Sequence, residues 1–246
     1  MLGGDPVDVL LLRFDAPLMS FGAPIVDNHG VIQPYPALSM LCGLLANALG
    51  YDHREFAALQ RLQERIQYAC RQERPGTRLR DYQTVDLGQG FMNDDLAWTT
   101  WGYVEKRKGG TASSGTQIRQ RDYWADAMYT VALTLDPLDE SPTVDDLEQA
   151  LRTPERPLFI GRKPCLPAEK VLLGHVQADD LIAPLRDPRW SKGAGTFPAW
   201  WPTRPGNEPN KRPITDARDW ANQIHVGERW IAMGKINVVA EEDKDG

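Results

Sequence analysis

Two strand–helix–strand runs separated by a long aperiodic stretch predict an α+β fold: a ferredoxin-like domain with an inserted arm, plus a smaller β-rich part behind it. Three observations carry this. An apolar run at residues 7–14 leads into a helical apolar repeat, and a second strand and helix follow after residue 128. Between about 74 and 122, Gly, Thr, Ser and Arg dominate with little apolar period, an unusual length of chain to lack a packed element.

The elements follow in order. The VDVLLLRF run at 7–14 has a middle apolar enough to be covered on both faces, as an interior strand is. Residues 15–36 hold four prolines and two glycines and read as an extended loop. Leu38, Leu41, Cys42, Leu45, Ala48 and Leu49 recur at helical spacing, and Gly50 supplies the stop. Phe56, Leu59, Leu62 and Ile66 predict a short second helix. Ile66, Tyr68 and Cys70 then alternate with Gln67, Ala69 and Arg71 as a strand with one wet face. Tyr129, Val131, Leu133 and Leu135 alternate with Thr130, Ala132 and Thr134 as another. Thr143, with Asp146 three residues on, caps a helix whose apolar face is Val144, Leu147, Ala150 and Leu151. Leu158, Phe159 and Ile160 are expected to form the fourth strand, which sets the domain at 1–165 and the smaller irregular part at 166–246. That part has strands near 171–176 and 230–239. Between them, residues 184–213 hold seven prolines and three tryptophans.

Composition narrows the function. With 41% hydrophobic and 25% charged residues over 246 positions, the chain can bury a real core. No run approaches the roughly 18 apolar residues of a membrane span. The first residues lack the basic and apolar regions of a signal peptide, so a cytoplasmic protein with no membrane partner is expected. Net charge is −6, which taken alone argues against nucleic acid, but the charge is segregated. Residues 105–121 carry five basic side chains against one acid, and residues 122–148 carry eight acids and no Lys or Arg. A local basic surface on an acidic protein can still neutralise phosphates. Cys42, Cys70 and Cys165 form no CxxC pair, and His29, His53, His175 and His225 lie far apart with no HExxH. Neither a metal nor another cofactor is expected. No GxSxG elbow occurs. His29, near Tyr35, leaves one enzymatic alternative open: a metal-independent acid–base pair that cleaves RNA.

Two arginine–aromatic clusters bracket the insertion. The first is Arg78-Leu79-Arg80-Asp81-Tyr82-Gln83-Thr84; the second is Arg119-Gln120-Arg121-Asp122-Tyr123-Trp124. Arginine offers forked donors to phosphate, tyrosine stacks on unpaired bases, and Gln83 and Thr84 can bond base edges or a 2′-hydroxyl. Arg80–Asp81 and Arg121–Asp122 also read as neutralised surface pairs at the base of a β-hairpin. Gly161-Arg162-Lys163-Pro164 puts two cations where glycine permits close backbone approach, though without P-loop spacing; an exposed basic turn reads as well.

The ordered set of these stretches resembles the Cas-five family of type I-E CRISPR Cascade complexes, within the RAMP superfamily. The matching segments are LLLRFDAPLMSFG at 10–22, Tyr35-Pro36 through Gly43-Leu44-Leu45 to Leu49-Gly50, and LRDYQTV at 79–85. RDYWADA at 121–127 leads into YTVAL at 129–133, and FIGRKPC at 159–165 closes the set. Together they span about two-thirds of the chain. The resemblance implies an RRM-like domain with a thumb at about 74–122 and a non-catalytic, antiviral-defence role. Such a subunit caps the 5′ handle of the crRNA, meets a Cascade backbone subunit, and seats the large subunit for target DNA recognition. It assigns Arg80, Arg119, Arg121, Arg162 and Lys163 to handle phosphates and Lys106, Arg107 and Lys108 to the thumb tip. Tyr82 and Tyr123 are assigned to bases, with Tyr123 equally able to pack beneath the thumb. Some relatives instead process precursor crRNA themselves as metal-independent endoribonucleases, an activity that the I-E branch normally leaves to another subunit. Where many relatives have a basic residue before the first helix's serine, Leu38 precedes Ser39 here. The cations and rings beside the insertion are expected to converge on one groove for unpaired ribonucleotides.

Overall fold

The computed structural model describes residues 6–25, 28–86, 96–98, 104–106 and 116–240. β1 (Val7–Asp15) lies inside a large sheet because side chains of both parities are apolar: Leu10, Leu12 and Phe14 face one side, Val9 and Leu11 the other, all buried. The loop after it contains the two-residue strands β2 (Leu18–Met19) and β3 (His29–Gly30). α1 (Leu38–Leu49) ends at Gly50, whose φ of 83° is the left-handed conformation expected of a helix stop. Its start is less usual. Ala37 has no capping side chain, and the carboxylate of Asp216, distant in sequence, accepts from the Leu38 backbone N–H at 2.9 Å instead.

α2 (Phe56–Arg65) runs directly into β4 (Ile66–Arg74). β5 (Thr77–Asp86), β6 (Leu96–Trp98), β7 (Val104–Lys106) and β8 (Thr116–Ala125) occupy the predicted insertion. β9 (Met128–Leu135) and α3 (Val144–Arg152) follow, the helix opened by the Thr143–Asp146 capping box. Then come β10 (Leu172–Ala178), the short α4 (Ala183–Arg186), β11 (Gly195–Thr203), β12 (Lys211–Ile214), β13 (Ala217–Asp219), β14 (Ile224–Val226) and β15 (Arg229–Val238).

The main sheet has seven strands in the order β10-β1-β9-β4-β11-β15-β12, every neighbouring pair antiparallel. Its first face buries Leu10, Leu12, Phe14, Tyr129, Val131 and Tyr68 against α1, α2 and α3. The second face buries Val9, Leu11, Ala69 and Ala132 beneath Leu181 and Leu185. Charge is sealed on that second face too. Arg71 and Glu73 pair at 2.8 Å, and both Arg13 and Arg71 donate to the Trp190 carbonyl at 2.8 and 3.0 Å. The proline- and tryptophan-rich stretch therefore covers the sheet and then joins it as β11.

Two expectations are corrected. Residues 158–160 form no strand: Ile160 donates to Cys165 at 2.8 Å and accepts from Ser20 at 3.1 Å, and Gly161 turns the chain at φ 95°. The edge place beside β1 goes to β10, paired from Val7↔Ala178 to Leu12↔Leu172 with a one-residue shift between Leu11 and Leu12. Nor is the insertion without regular structure. β5 and β8 form an antiparallel ribbon from Thr77↔Ala125 to Asp86↔Thr116, with β2 and β3 on the other side of β8. Much of the ribbon is exposed, so no apolar alternation marked it in the sequence. No helix among the described residues is long and apolar enough to cross a membrane.

Candidate nucleic-acid interface

In an antiparallel ladder, directly opposed residues share a face. The pairs Arg80↔Asp122, Tyr82↔Gln120 and Thr84↔Ile118, with Arg78↔Trp124, therefore put Arg78, Arg80, Tyr82 and Thr84 on one face of the ribbon. The pairs Leu79↔Tyr123, Asp81↔Arg121 and Gln83↔Arg119 put Gln83, Arg119 and Arg121 on the other. The expected convergence of all these cations and rings on one groove is thus corrected: strand alternation divides them.

The first face is organised around Asp122. Its side chain is wholly buried, and its carboxylate accepts from Arg80 Nε at 2.9 Å, from His29 Nε2 at 2.8 Å and from Arg78 Nη2. Burial alone would raise the carboxyl's pKa; the Arg80, Arg78 and His29 donors outweigh it and hold the group well below the usual carboxylate range. The same hydrogen bond raises the pKa of Arg80. Both arginine side chains remain about half exposed (52% for Arg78, 49% for Arg80), and Tyr82 beside them is 58% exposed. A cationic, aromatic strip with open edges results, the chemistry that holds a phosphodiester and an unstacked base.

On the reverse face, Tyr123 is 3% exposed and sits in the main core, with the Arg162 guanidinium 4.9 Å above its ring. Of the two places open to it, this tyrosine takes the one beneath the arm, and a base cannot reach it. Arg162 itself donates to the Asp122 carbonyl at 3.0 Å and the Gly30 carbonyl at 3.2 Å, so the predicted basic turn is stitched to the ribbon's base. Lys163, Arg119 and Arg121 are exposed. Lys106 ends β7, while Arg107 and Lys108 lie outside the described residues. A groove of about 760 Å³ adjoins Arg162, between α1 and the 156–166 segment, lined in part by Ser39, Asn47, Arg156, Lys163 and Trp220.

Sequence reasoning named Arg78 in the first cluster without assigning it to RNA, and weighed His29 only as an acid–base group, so it missed their shared place on Asp122. Period-two spacing from Arg80 could have found Arg78; only the parallel β3–β8 pairing, His29↔Gln120, brings in the histidine. It also missed a side-chain cluster across β1, α3 and β10. His175 Nδ1 lies 2.7 Å from Glu148 and 3.7 Å from Asp145, with Nε2 3.3 Å from Asp8. Asp145, Glu148 and His175 offer ligand atoms within 4.8 Å of one another, a grouping their sequence spacing gave no reason to expect. The His29–Tyr35 alternative gains little: Tyr35 is 1% exposed beside Trp200, and burial pushes its hydroxyl pKa up.

A family model described as CRISPR-associated protein (Cas_Cas5) matches residues 9–232, nearly the whole chain and all of this site. The chain belongs to the Cas5 family. Its relatives include the Escherichia coli (strain K12) protein described as CRISPR system Cascade subunit CasD. The two are 31% identical over 179 residues, covering 70% of this Cas5 chain and 72% of the relative. A solved structure described as a CRISPR RNA-guided surveillance complex contains a chain that superposes with a TM-score of 0.65 at 25% identity, covering 96% of this chain and 95% of that one. A second, described as the crystal structure of a Cas protein, gives 0.62 at 23% identity over 93% and 95%, a likeness of fold.

Proposed function

We propose that this Cas5 protein is a non-catalytic, cytoplasmic subunit of a Cascade complex that caps the 5′ handle of the crRNA. The observation that carries the proposal is the open face Arg78-Arg80-Tyr82-Thr84, on a ribbon whose base is fixed by Asp122. Forked cations there take phosphate oxygens, Tyr82 stacks on a splayed base, and Thr84 bonds a base edge or 2′-hydroxyl. Gln83, Arg119 and Arg121 meet a further length of the strand as it turns past β5, which pairs only with β8 among the described residues, and Arg162 and Lys163 take phosphates at the base. Lys106, Arg107 and Lys108 ride on the guide. A backbone subunit lies beside the arm, the large subunit sits at the foot, and target DNA is met within the assembly. The strand order β10-β1-β9-β4, with α1 to α3 on one face, supports a ferredoxin-like (RRM-like) domain, its end moved from residue 165 to the end of β10.

The test is incubation of the purified full-length protein with labelled repeat-containing RNA in chelator, followed by reconstitution with the other subunits. Intact RNA retained by the wild type and lost on Arg80→Glu with Tyr82→Ala supports the cap. Site-specific cutting that survives chelator overturns it in favour of an endoribonuclease. Undiminished retention by the double variant would leave only a protein scaffold.

A further inference from the structure

Burying a carboxylate is costly unless its oxygens are used by donors. Asp122 is fully shielded, yet the donors that reach it come from the partly exposed side chains Arg78, Arg80 and His29. Arginine has five N–H groups in a rigid fork. Arg80 directs Nε inward and Arg78 directs Nη2 inward, which leaves other N–H groups of each fork on the open side. The two arginines lie two residues apart on one strand, so their Cα atoms are about 6.8 Å apart on the same face. Two guanidiniums against one carboxylate leave the patch with surplus positive charge. The ribbon is anchored at this point as well, because Arg162 bonds the Asp122 carbonyl and β3 pairs with β8 alongside.

We infer that Asp122 is a positioning residue: it fixes the Arg78 and Arg80 guanidiniums as a preformed pair of forks for a single RNA phosphate, and Arg78 grips that phosphate as closely as Arg80. The inference rests on the RNA-capping reading above. Without the carboxylate, each long side chain has many rotamers to lose on binding; with it, that ordering is complete before the RNA arrives.

Charge and positioning predict opposite signs for one substitution. Asp122→Asn makes the patch more positive by one unit, so attraction alone gives binding as tight as wild type or tighter. Positioning gives an affinity for labelled single-stranded crRNA about tenfold weaker. The slope of log affinity against log salt also shrinks, by about 0.7 for each phosphate that the cations no longer neutralise. Unchanged or tighter binding by the full-length variant overturns the inference. Should Asp122→Asn fail to fold, Arg78→Lys carries the test, because it keeps the charge and removes the fork at a half-exposed site. Weakening of about tenfold at an unchanged melting temperature supports the inference, and full affinity overturns it. Arg78→Ala and Arg80→Ala separate the two levels. If neither weakens crRNA binding, the RNA-capping reading itself fails at this face. If both do and Asp122→Asn does not, positioning alone falls.

Discussion

Asp216 joins the last third of the chain to the first helix, and removing it should unfold the protein at a markedly lower temperature. Its carboxylate is fully buried and has two tasks. It accepts from the Leu38 N–H at 2.9 Å where α1 lacks a capping side chain of its own, and it holds Arg229 by Nε and Nη2, both at 2.7 Å. Its own carbonyl accepts from the Ser39 N–H at 3.0 Å. Asp216→Ala loses the cap, about 1 kcal/mol. It also leaves Arg229 without its carboxylate, for which about 3 kcal/mol is reasonable, the low end for a broken buried pair, because the arginine keeps 21% exposure. For a chain of this size each kcal/mol shifts the midpoint by about 2–4 °C, so the sum of about 4 kcal/mol gives a fall of about 8–16 °C. Thermal unfolding of the full-length protein followed by circular dichroism reads this directly. The double variant Asp216→Leu, Arg229→Met should recover the pairing part but not the cap, and so stay about 2–4 °C below wild type. A fall of less than about 3 °C for Asp216→Ala would refute the reasoning, since it would mean that neither the cap nor the ion pair is strained by the loss.

Tyr82→Ala should weaken crRNA binding by about 1–3 kcal/mol with little change in melting temperature, whereas Tyr123→Ala should destabilise the fold by about 3–5 kcal/mol because its ring is buried in the core. Binding isotherms and thermal melts on the two variants check this, and a stability loss for Tyr82→Ala would count against its exposed role. Gly161→Ala places a Cβ 1.8 Å from the Ser20 carbonyl oxygen at a φ of 95°, so it should cost at least about 1–3 kcal/mol, read as a lower melting temperature, and shift Arg162 off Tyr123, read as weaker crRNA binding. The acid limb of stability follows from Glu73 and Asp122. Burial would raise both carboxyl pKa values, but hydrogen bonds from Thr130, Arg71 and the Lys192 N–H lower that of Glu73, and Arg80, Arg78 and His29 lower that of Asp122. A group depressed in the folded state stabilises fully above its unfolded value and loses that contribution as pH falls through the folded one. Melting temperature should therefore hold from pH 7 to about 5 and drop below about pH 4, and Glu73→Gln should be less stable at pH 7 with a shallower drop.

Much of the main sheet was legible because its strands are buried and their periods are clean. Residues 7–14, 66–70 and 129–135 carried enough apolar residues to place β1, β4 and β9, and Thr143 with Asp146 announced α3. The fourth strand was misplaced for a physical reason. Leu158, Phe159 and Ile160 are as apolar as a short strand, but their neighbour Gly161 adopts positive φ and turns the chain before a ladder can form. β10 has the weaker pattern, each residue half-buried or exposed, since it is an edge strand. The covering of the sheet's second face was illegible for another reason. Arg13, Arg71 and Glu73 look like surface residues; besides one another they are satisfied by the Trp190 carbonyl, the Lys192 N–H and the Leu185 carbonyl, supplied from more than a hundred residues away, which the sequence does not announce.

The candidate site shows the same divide between local and non-local information. The residue types were readable: arginines and tyrosines beside an insertion point to unpaired nucleic acid whatever their exact geometry. Their grouping was not, because it depends on pairing two segments about forty residues apart. Once the register Arg80↔Asp122 is known, parity alone separates Arg80 and Tyr82 from Arg119, Arg121 and Tyr123, and a one-residue slip would reverse which set faces outward. In this alignment Asp122 meets Arg78, Arg80 and His29 together. The acid that looked in the sequence like a neutraliser of its neighbour Arg121 is paired across the ribbon instead, where its hydrogen bonds aim the cations of the facing strand.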